Sequence, residues 1–311
     1  MKEDYLIIHQ GALGDLILTL TAVNRVCKKP SGIFCRSGLI PLIRHLDIAD
    51  EVQSVETRIF SQLYEDTPSI RCASLFENYH HILLFSNASI LSKNIRSLTD
   101  AHVHRISPRP VPENRMHIVE HLTLELNRIG ARCAPSRDKY RMKHADGDFG
   151  NSPSILIHPG SGSRRKNWPL ENFVRIYHRL KRDGLAVKWI AGPAEKHMLD
   201  GLNVFGIDEE NIYSNDLIGL CSRLREAGLL IGNDSGPSHL AAFLGTAVLT
   251  IFGPSDPVRW RPLGSHVNVM LPETRCIPCF ESETYPCERP VCFKGITVEK
   301  VYRKVKHLVG A

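Results

Sequence analysis

The hydrophobic positions of the first half of the chain alternate between short strand-like runs and segments with helical spacing. Apolar residues recur every three or four positions in residues 16–27 and 118–129, which is typical of amphipathic helices. The apolar runs that predict strands are residues 5–8, 32–35, 52–55, 82–85 and 103–106. Strands that alternate with helices predict a parallel sheet whose connections are crossover helices.

A polar segment at residues 146–153 carries turn residues and almost no apolar side chains, which is typical of a linker. The alternation then restarts, with predicted strands at 155–157, 187–191, 229–231 and 248–252 and predicted helices at 170–182, 195–202, 217–227, 238–244 and 298–308. We therefore predict two doubly wound α/β domains, residues 1–152 and 153–311, with a final helix that could return to the first domain. Parallel sheets bind ligands at the carboxyl ends of their strands, so we expect a site in a cleft between the domains.

Composition narrows the class of protein. The 311 residues are 42% hydrophobic and 23% charged, as in soluble globular proteins, and the net charge of +6 is a mild basic bias. No apolar run is long enough to span a bilayer, and Met1-Lys2-Glu3-Asp4 does not resemble a signal peptide, so we expect a cytoplasmic protein. The basic residues favour a solvated surface or a patch that faces anionic lipid. No basic helix or RNA-binding signature is present, so no nucleic-acid partner is expected.

The segment His158-Pro-Gly-Ser-Gly-Ser-Arg-Arg-Lys-Asn-Trp-Pro169 follows a predicted strand and precedes a predicted helix. Its small residues allow backbone N–H groups to approach an anion, the serines add hydroxyl donors, and three consecutive cations neutralise negative charge. The segment therefore predicts a phosphate or diphosphate site, with an ordinary surface loop as the alternative.

A second segment, Gly232-Asn-Asp-Ser-Gly-Pro-Ser-His239, lies at the end of another predicted strand. It combines the Asp234 carboxylate with hydroxyl groups and with the free N–H groups of a helix start, which favours an anion and a sugar. Taken alone, Asp234 could be a helix cap and His239 a core histidine.

The first strand is followed by Gly11-Ala-Leu-Gly-Asp15. Two glycines are only a fragment of the dinucleotide fingerprint G-x-G-x-x-G, so a Rossmann oxidoreductase is not favoured. Asp15 at this strand-to-helix turn is interpreted either as a helix cap or as a general base that acts on an acceptor hydroxyl.

These motifs, together with Lys166-Asn-Trp-Pro169 and Phe252-Gly-Pro-Ser-Asp-Pro257, resemble family 9 of the glycosyltransferases, the ADP-heptose:lipopolysaccharide heptosyltransferases and their relatives. The resemblance runs from about residue 4 to the final helix. It implies a GT-B architecture, with the acceptor bound by the first domain and the nucleotide sugar by the second. It also implies inverting transfer that needs no metal cofactor.

The resemblance further implies roles for individual residues. Asp15 takes the position of the catalytic base. The positions that match donor contacts are Ser161 and Lys166 at the diphosphate, Glu195 at the nucleotide ribose, and Asp234, Ser235, Gly236 and His239 at the sugar and phosphates. The loops expected to select the acceptor, at residues 58–67, 85–99 and 105–115, match no single member of the family, and the acceptor stays open.

Four of the nine cysteines, Cys276, Cys279, Cys287 and Cys292, form a C-x2-C-x7-C-x4-C pattern. Such a set is compatible with a structural zinc ion bound by four thiolates. Reduced free thiols are the main alternative, and disulfides are disfavoured in a reducing compartment.

The function expected from these observations is transfer of heptose, or a related sugar, from a nucleotide-sugar donor to a lipopolysaccharide core or related glycan. Peripheral contact with the cytoplasmic face of the inner membrane would bring the enzyme to such a glycolipid. A family relative that uses another nucleotide sugar and a non-catalytic paralogue that only binds nucleotide sugar are the alternatives.

Overall fold

The computed structural model describes residues 4–27, 29–111, 114–130, 154–192, 195–208, 210, 212–214, 216–274, 276, 278–281 and 291–310. The chain divides into two compact units, Met1–Lys139 and Tyr140–Ala311, and each is built on one sheet. The predicted linker at residues 146–153 and the predicted boundary after residue 152 lie outside the described residues. Among the helices that the structure describes, none combines the length and the apolar character needed to cross a bilayer.

The first unit contains a five-stranded sheet in the order β3-β2-β1-β4-β5, and every neighbouring pair is parallel. Its strands are β1 (Tyr5–His9), β2 (Gly32–Cys35), β3 (Glu51–Ser54), β4 (His81–Phe85) and β5 (His102–Ile106). The central strand β1 is buried along its whole length, which accounts for its nearly unbroken apolar sequence. All five strands were predicted.

The α-helices described in the first unit are α1 (Leu13–Val26), α2 (Ile40–His45), α3 (Arg58–Ser61), α4 (Ser89–Leu98) and α5 (Ile118–Arg128). The structure confirms α1 and α5, which pack against each other. The expectation of a loop over residues 85–99 is wrong, because α4 occupies most of it. The buried amide of Asn94 interrupts the apolar face of this helix and donates to Leu63 O and Glu65 O at 2.9 and 2.8 Å. The short helix α3 likewise lies inside the segment 58–67 that was expected to be a loop.

The second unit contains a six-stranded parallel sheet in the order β11-β10-β9-β6-β7-β8. Its strands are β6 (Ile155–His158), β7 (Val187–Ala191), β8 (Ile212–Ser214), β9 (Leu229–Asn233), β10 (Ala247–Ile251) and β11 (Val267–Met270). The predictions missed the two edge strands, β8 and β11. Edge strands give a weak apolar signal: β8 has three residues and β11 is only half-buried.

Among the described residues of the second unit, the α-helices are α6 (Leu170–Arg182), α7 (Lys196–Val204), α8 (Leu217–Glu226), α9 (Gly236–Leu244), α10 (Pro257–Trp260) and α11 (Val298–Leu308). Helix α6 ends before Gly184, whose φ of +78° is left-handed and favours glycine. The last helix, α11, packs against α6, where Arg179 Nη1 lies 2.6 Å from Glu299 Oε2. Two doubly wound parallel α/β units are therefore present, as predicted.

Candidate functional site

The two predicted anion-binding segments of the second unit follow adjacent strands. Strands β6 and β9 are hydrogen-bonded neighbours, with His158 opposite Gly232 at their carboxyl ends. The chain continues from β6 to β7 on one side and from β9 to β10 on the other. The connections therefore leave in opposite directions, and such a switch in strand order is where open α/β sheets bind ligands.

Residues 159–167, here called the phosphate loop, are held by a buried amide at the end of β9. Asn233 is fully buried; its amide nitrogen donates to Pro159 O at 2.7 Å, and its amide oxygen accepts from Trp168 N at 2.9 Å. The buried Trp168 indole donates to Ile296 O at 3.2 Å. Asn233 thus ties both flanks of the phosphate loop to β9. The role of Asn233 was not predicted from the sequence, although an amide at a buried strand end needs both a donor and an acceptor partner.

Ser161 shapes the turn of the phosphate loop. Its hydroxyl oxygen lies 2.6 Å from Asn167 Oδ1 and 2.7 Å from Ser163 O, and the Ser163 N–H donates to it at 3.3 Å. The three consecutive cationic residues that follow the small residues form a 3-10 turn, Arg164–Lys166. The contacts of the Ser161 hydroxyl with Ser163 and Asn167 therefore fix the conformation of this turn.

Lys166 of the phosphate loop contacts Asp234, the carboxylate that follows β9. Its ammonium nitrogen lies 3.1 Å from Asp234 Oδ2, while the other carboxylate oxygen lies 3.6 Å from His239 Nε2. Burial is the largest influence on the pKa of Asp234 and acts to raise it, but His239, Lys166 and the Ser255 hydroxyl together lower that pKa below 3.8. The carboxylate is therefore ionised at neutral pH and shared by two partners.

Ser235 and Gly236 lie at the start of α9. Ser235 is the N-cap residue of this helix and Gly236 its first residue, so the alternative interpretation of Asp234 as the helix cap is wrong. The Ser235 hydroxyl lies 3.3 Å from His158 Nδ1 and 3.2 Å from the Ser238 hydroxyl. The first N–H groups of a helix carry partial positive charge, which favours an anion here.

Glu195 lies beneath the phosphate loop. It is 6% exposed; Gly192 N–H donates to its Oε2 at 2.8 Å, and its Oε1 lies 3.6 Å from His158 Nε2. Burial, the largest influence, raises the pKa of Glu195, but His158 and the backbone N–H groups lower it overall. A Cβ on Gly160 would collide with the buried side chain of Glu195, so this position requires glycine. The role of Glu195 as a ribose contact stays a prediction.

In the second unit, all seven predicted donor residues follow the carboxyl ends of the neighbouring strands β6, β7 and β9, either in the loops or in the first turn of α9. The residues are Ser161, Lys166, Glu195, Asp234, Ser235, Gly236 and His239. The arrangement offers a cation and helix N–H groups for phosphate, beside carboxylate and hydroxyl oxygens that suit sugar hydroxyl groups.

Asp15 belongs to the first unit and lies in the first turn of α1, whose N-cap residue is Ala12. A Cβ on Gly11 would lie 2.8 Å from Asp15 Cβ and 2.7 Å from His9 Cε1, so the glycine lets the backbone pass between the two side chains. Burial lowers the pKa of His9 to about 4, with Asp15 acting to raise it and Arg36 to lower it further. The N-cap alternative for Asp15 is wrong, and its role as a base stays a prediction.

The predicted zinc ligands are only partly described. Cys276 is exposed, Cys279 is partly exposed and Cys292 is buried, whereas Cys287 lies outside the described residues. Within the described ranges, no three His, Cys, Asp or Glu side chains form a group that could hold a metal ion. The three described cysteines therefore do not fit a metal by themselves, and the four-cysteine site stays a prediction.

Comparison with known proteins gives a family and a fold. The model of "Glycosyltransferase family 9 (heptosyltransferase)" matches residues 71–287. A lipooligosaccharide heptosyltransferase 2 from Campylobacter jejuni is 27% identical over 168 residues, which are 51% of this chain and 52% of that protein. The match thus spans about half the length of this curated relative.

Solved structures resemble the whole chain. A family 9 glycosyl transferase from Veillonella parvula superposes with a TM-score of 0.74 at 18% identity, covering 99% of this chain and 98% of that one. The Escherichia coli heptosyltransferase WaaC, solved with ADP, gives 0.69 at 16% identity, covering 98% and 99%. At these identities the likeness shows the fold, which is GT-B as expected.

Proposed function

The chain belongs to glycosyltransferase family 9, and we propose that it transfers a heptose, or a related sugar, from a nucleotide-sugar donor. We propose ADP-heptose as the donor and a lipopolysaccharide core or related glycan as the acceptor. The name of the Campylobacter relative and the ADP bound to WaaC support this choice.

The observation that carries the proposal is the contact between Lys166 and Asp234. It brings the phosphate loop after β6 and the helix start after β9 together at one switch point of the sheet. A diphosphate that leaves from a sugar gains negative charge as the glycosidic bond breaks. The Lys166 ammonium and the N–H groups at the start of α9 would stabilise that charge without a metal ion.

On the donor side, Asp234, Ser235 and His239 would orient the sugar and phosphates, and Glu195 would bind the nucleotide ribose. Lys166 would supply the positive charge, and the ion pair with Asp234 would hold the Lys166 ammonium in position. Buried side chains that are already ordered lose little conformational entropy when a ligand binds. The hydrogen bonds that hold these residues in place would therefore favour donor affinity.

On the acceptor side, Asp15 would accept the proton of the attacking hydroxyl as the new bond forms. Attack by a deprotonated hydroxyl from the face opposite the leaving group inverts the anomeric configuration. We propose that the protein works in the cytoplasm, where peripheral contact with the cytoplasmic face of the inner membrane would bring it to a glycolipid acceptor.

The test begins with calorimetric titration of ADP, UDP and GDP into the purified chain. It continues with a transfer assay using ADP-heptose and a lipopolysaccharide core that lacks heptose, with UDP- and GDP-sugars as matched donor controls. We expect ADP to bind best and heptose to be transferred. Preference for UDP or GDP would favour a relative with another donor, and nucleotide binding without transfer to any acceptor would favour a non-catalytic paralogue.

A further inference from the structure

An aromatic ring from a distant part of the sequence lies beside the cations of the phosphate loop. The Phe280 ring centroid is 5.1 Å from Lys166 Nζ and 5.8 Å from Arg165 Cζ. Both distances are within the range in which the negative face of an aromatic ring attracts a cation. The Lys166 ammonium therefore contacts both the Asp234 carboxylate and the face of Phe280.

The segment that carries Phe280 is attached to the body of the second unit. The backbone N–H groups of Cys279 and Phe280 both donate to Pro254 O, at 3.0 and 3.1 Å. The next residue, Glu281, pairs with the buried Arg259 of α10 at 3.2 Å. The ring is thus held in place from both sides in sequence, and its contact with Lys166 follows from that attachment.

A ring at this position has a specific electrostatic advantage. A lysine ammonium on a flexible four-carbon stem must be held in place to bind phosphate well, and Asp234 does so from one side. A second carboxylate would add negative charge beside an incoming diphosphate and repel it. An aromatic face attracts the ammonium without carrying net charge, so it can orient Lys166 while leaving its charge available.

We propose that Phe280 is a positioning residue of the donor site, whose ring orients Lys166, together with Arg165, toward the diphosphate of the nucleotide. This inference rests on the proposed function only in placing a nucleoside diphosphate at the phosphate loop. It assigns a role in donor binding to a residue that follows Cys279 and belongs to none of the donor motifs.

The experiment measures the Kd of ADP and of inorganic pyrophosphate by calorimetry for wild type, Phe280→Leu and Phe280→Tyr. Leucine keeps an apolar side chain but has no π face, whereas tyrosine keeps the ring. We expect Phe280→Leu to weaken binding about three- to tenfold and Phe280→Tyr to stay within about twofold of wild type. Phe205→Leu, at the partly exposed end of α7, is the matched control and should leave Kd unchanged.

A double-mutant cycle separates positioning from a structural effect. If Phe280 acts through Lys166, most of the loss caused by Phe280→Leu should disappear in a Lys166→Ala background. Equal losses in both backgrounds, or an unchanged Kd in Phe280→Leu, would overturn the inference. If the effects of Phe280→Leu and Lys166→Ala on Kd are coupled but no heptose is transferred, the proposed activity is contradicted and this inference is supported. A chain that binds neither ADP nor pyrophosphate would overturn both.

Discussion

Lys166 and Asp234 are 68 positions apart in the chain, yet the ammonium nitrogen of one lies 3.1 Å from a carboxylate oxygen of the other. Both side chains are largely buried, with 15% and 6% of their surfaces exposed. Removing one member of a buried ion pair leaves the other charge without compensation, which costs more than the pair contributes as a whole. Removing the Lys166 charge from the phosphate loop should therefore lower the stability of the second unit, because Asp234 would stay buried without its partner.

Replacing Lys166 by alanine should weaken ADP binding about ten- to a hundredfold, because a charge-assisted contact to phosphate contributes about 1.5–3 kcal/mol. The melting temperature should also fall, since Asp234 loses its partner. Calorimetry and thermal melting measure the two effects. Lys181→Ala, an exposed lysine on α6, is the control and should change neither quantity. An unaltered ADP affinity in Lys166→Ala would remove this residue from the donor site.

The buried His9 should make the first unit sensitive to mild acid. Burial lowers its pKa from 6.5 to about 4 in the folded chain, so the unfolded chain binds the proton more tightly. The free energy of unfolding is therefore unaffected by His9 above pH 6.5. It falls by about 3 kcal/mol in total as pH decreases from 6.5 toward 4. Melting temperatures across this range should fall less steeply in His9→Gln than in wild type. An equal slope would contradict the prediction, and the exposed His80→Gln serves as the control.

The fold and the donor loops were predictable because their signals are local. Helix α6 begins after Pro169 and ends at Asp183-Gly184, and its bounds were predicted without error. The family resemblance implied that Lys166 and Asp234 both contact the donor, so the motifs after β6 and β9 were expected at one site. The contact of Lys166 with Asp234 agrees with that expectation.

Other features depend on contacts that a local pattern does not encode. Helix α4 was missed because Asn94 lies in its buried face, where its amide binds two carbonyl groups of a distant segment. Asn233 joins Pro159 and Trp168, and nothing in the motif indicates which backbone groups its amide meets. Phe280 lies within the described residues 278–281, which form neither a helix nor a strand, and only the tertiary fold brings it to Lys166.

Metal analysis of the purified protein tests the cysteine site. If Cys276, Cys279, Cys287 and Cys292 hold a structural zinc ion, the protein should contain about one equivalent of metal, and Cys279→Ser should lose it and melt at a lower temperature. Cys221→Ala, at a buried cysteine of α8, is the control that should retain the metal. If the protein contains no metal, keeps full stability and has all four of these thiols available to a thiol reagent, the four cysteines are reduced and free.

Replacing Asp15 by asparagine should abolish sugar transfer while leaving the fold and the ADP affinity nearly intact. Asp15 lies in the first unit, whereas the phosphate loop and Asp234 belong to the second, so the donor contacts should not change. An amide has nearly the shape of a carboxylate but cannot accept the proton of the acceptor hydroxyl. General-base assistance contributes about 10²–10⁴-fold in rate, so the loss should appear in kcat and not in donor Kd.

A purely structural role for Asp15 predicts a different result. Because Ala12 is the N-cap of α1, Asp15 contributes to the helix only as an acidic residue of the first turn, and losing that charge costs about 0.3–1 kcal/mol of stability. Transfer rate, ADP Kd and melting temperature should therefore be measured together on Asp15→Asn and on Asp100→Asn, an exposed aspartate of the same unit. A near-normal kcat with a slightly lower melting temperature would exclude Asp15 as the base, whereas loss of kcat in Asp15→Asn alone requires its carboxylate in the reaction.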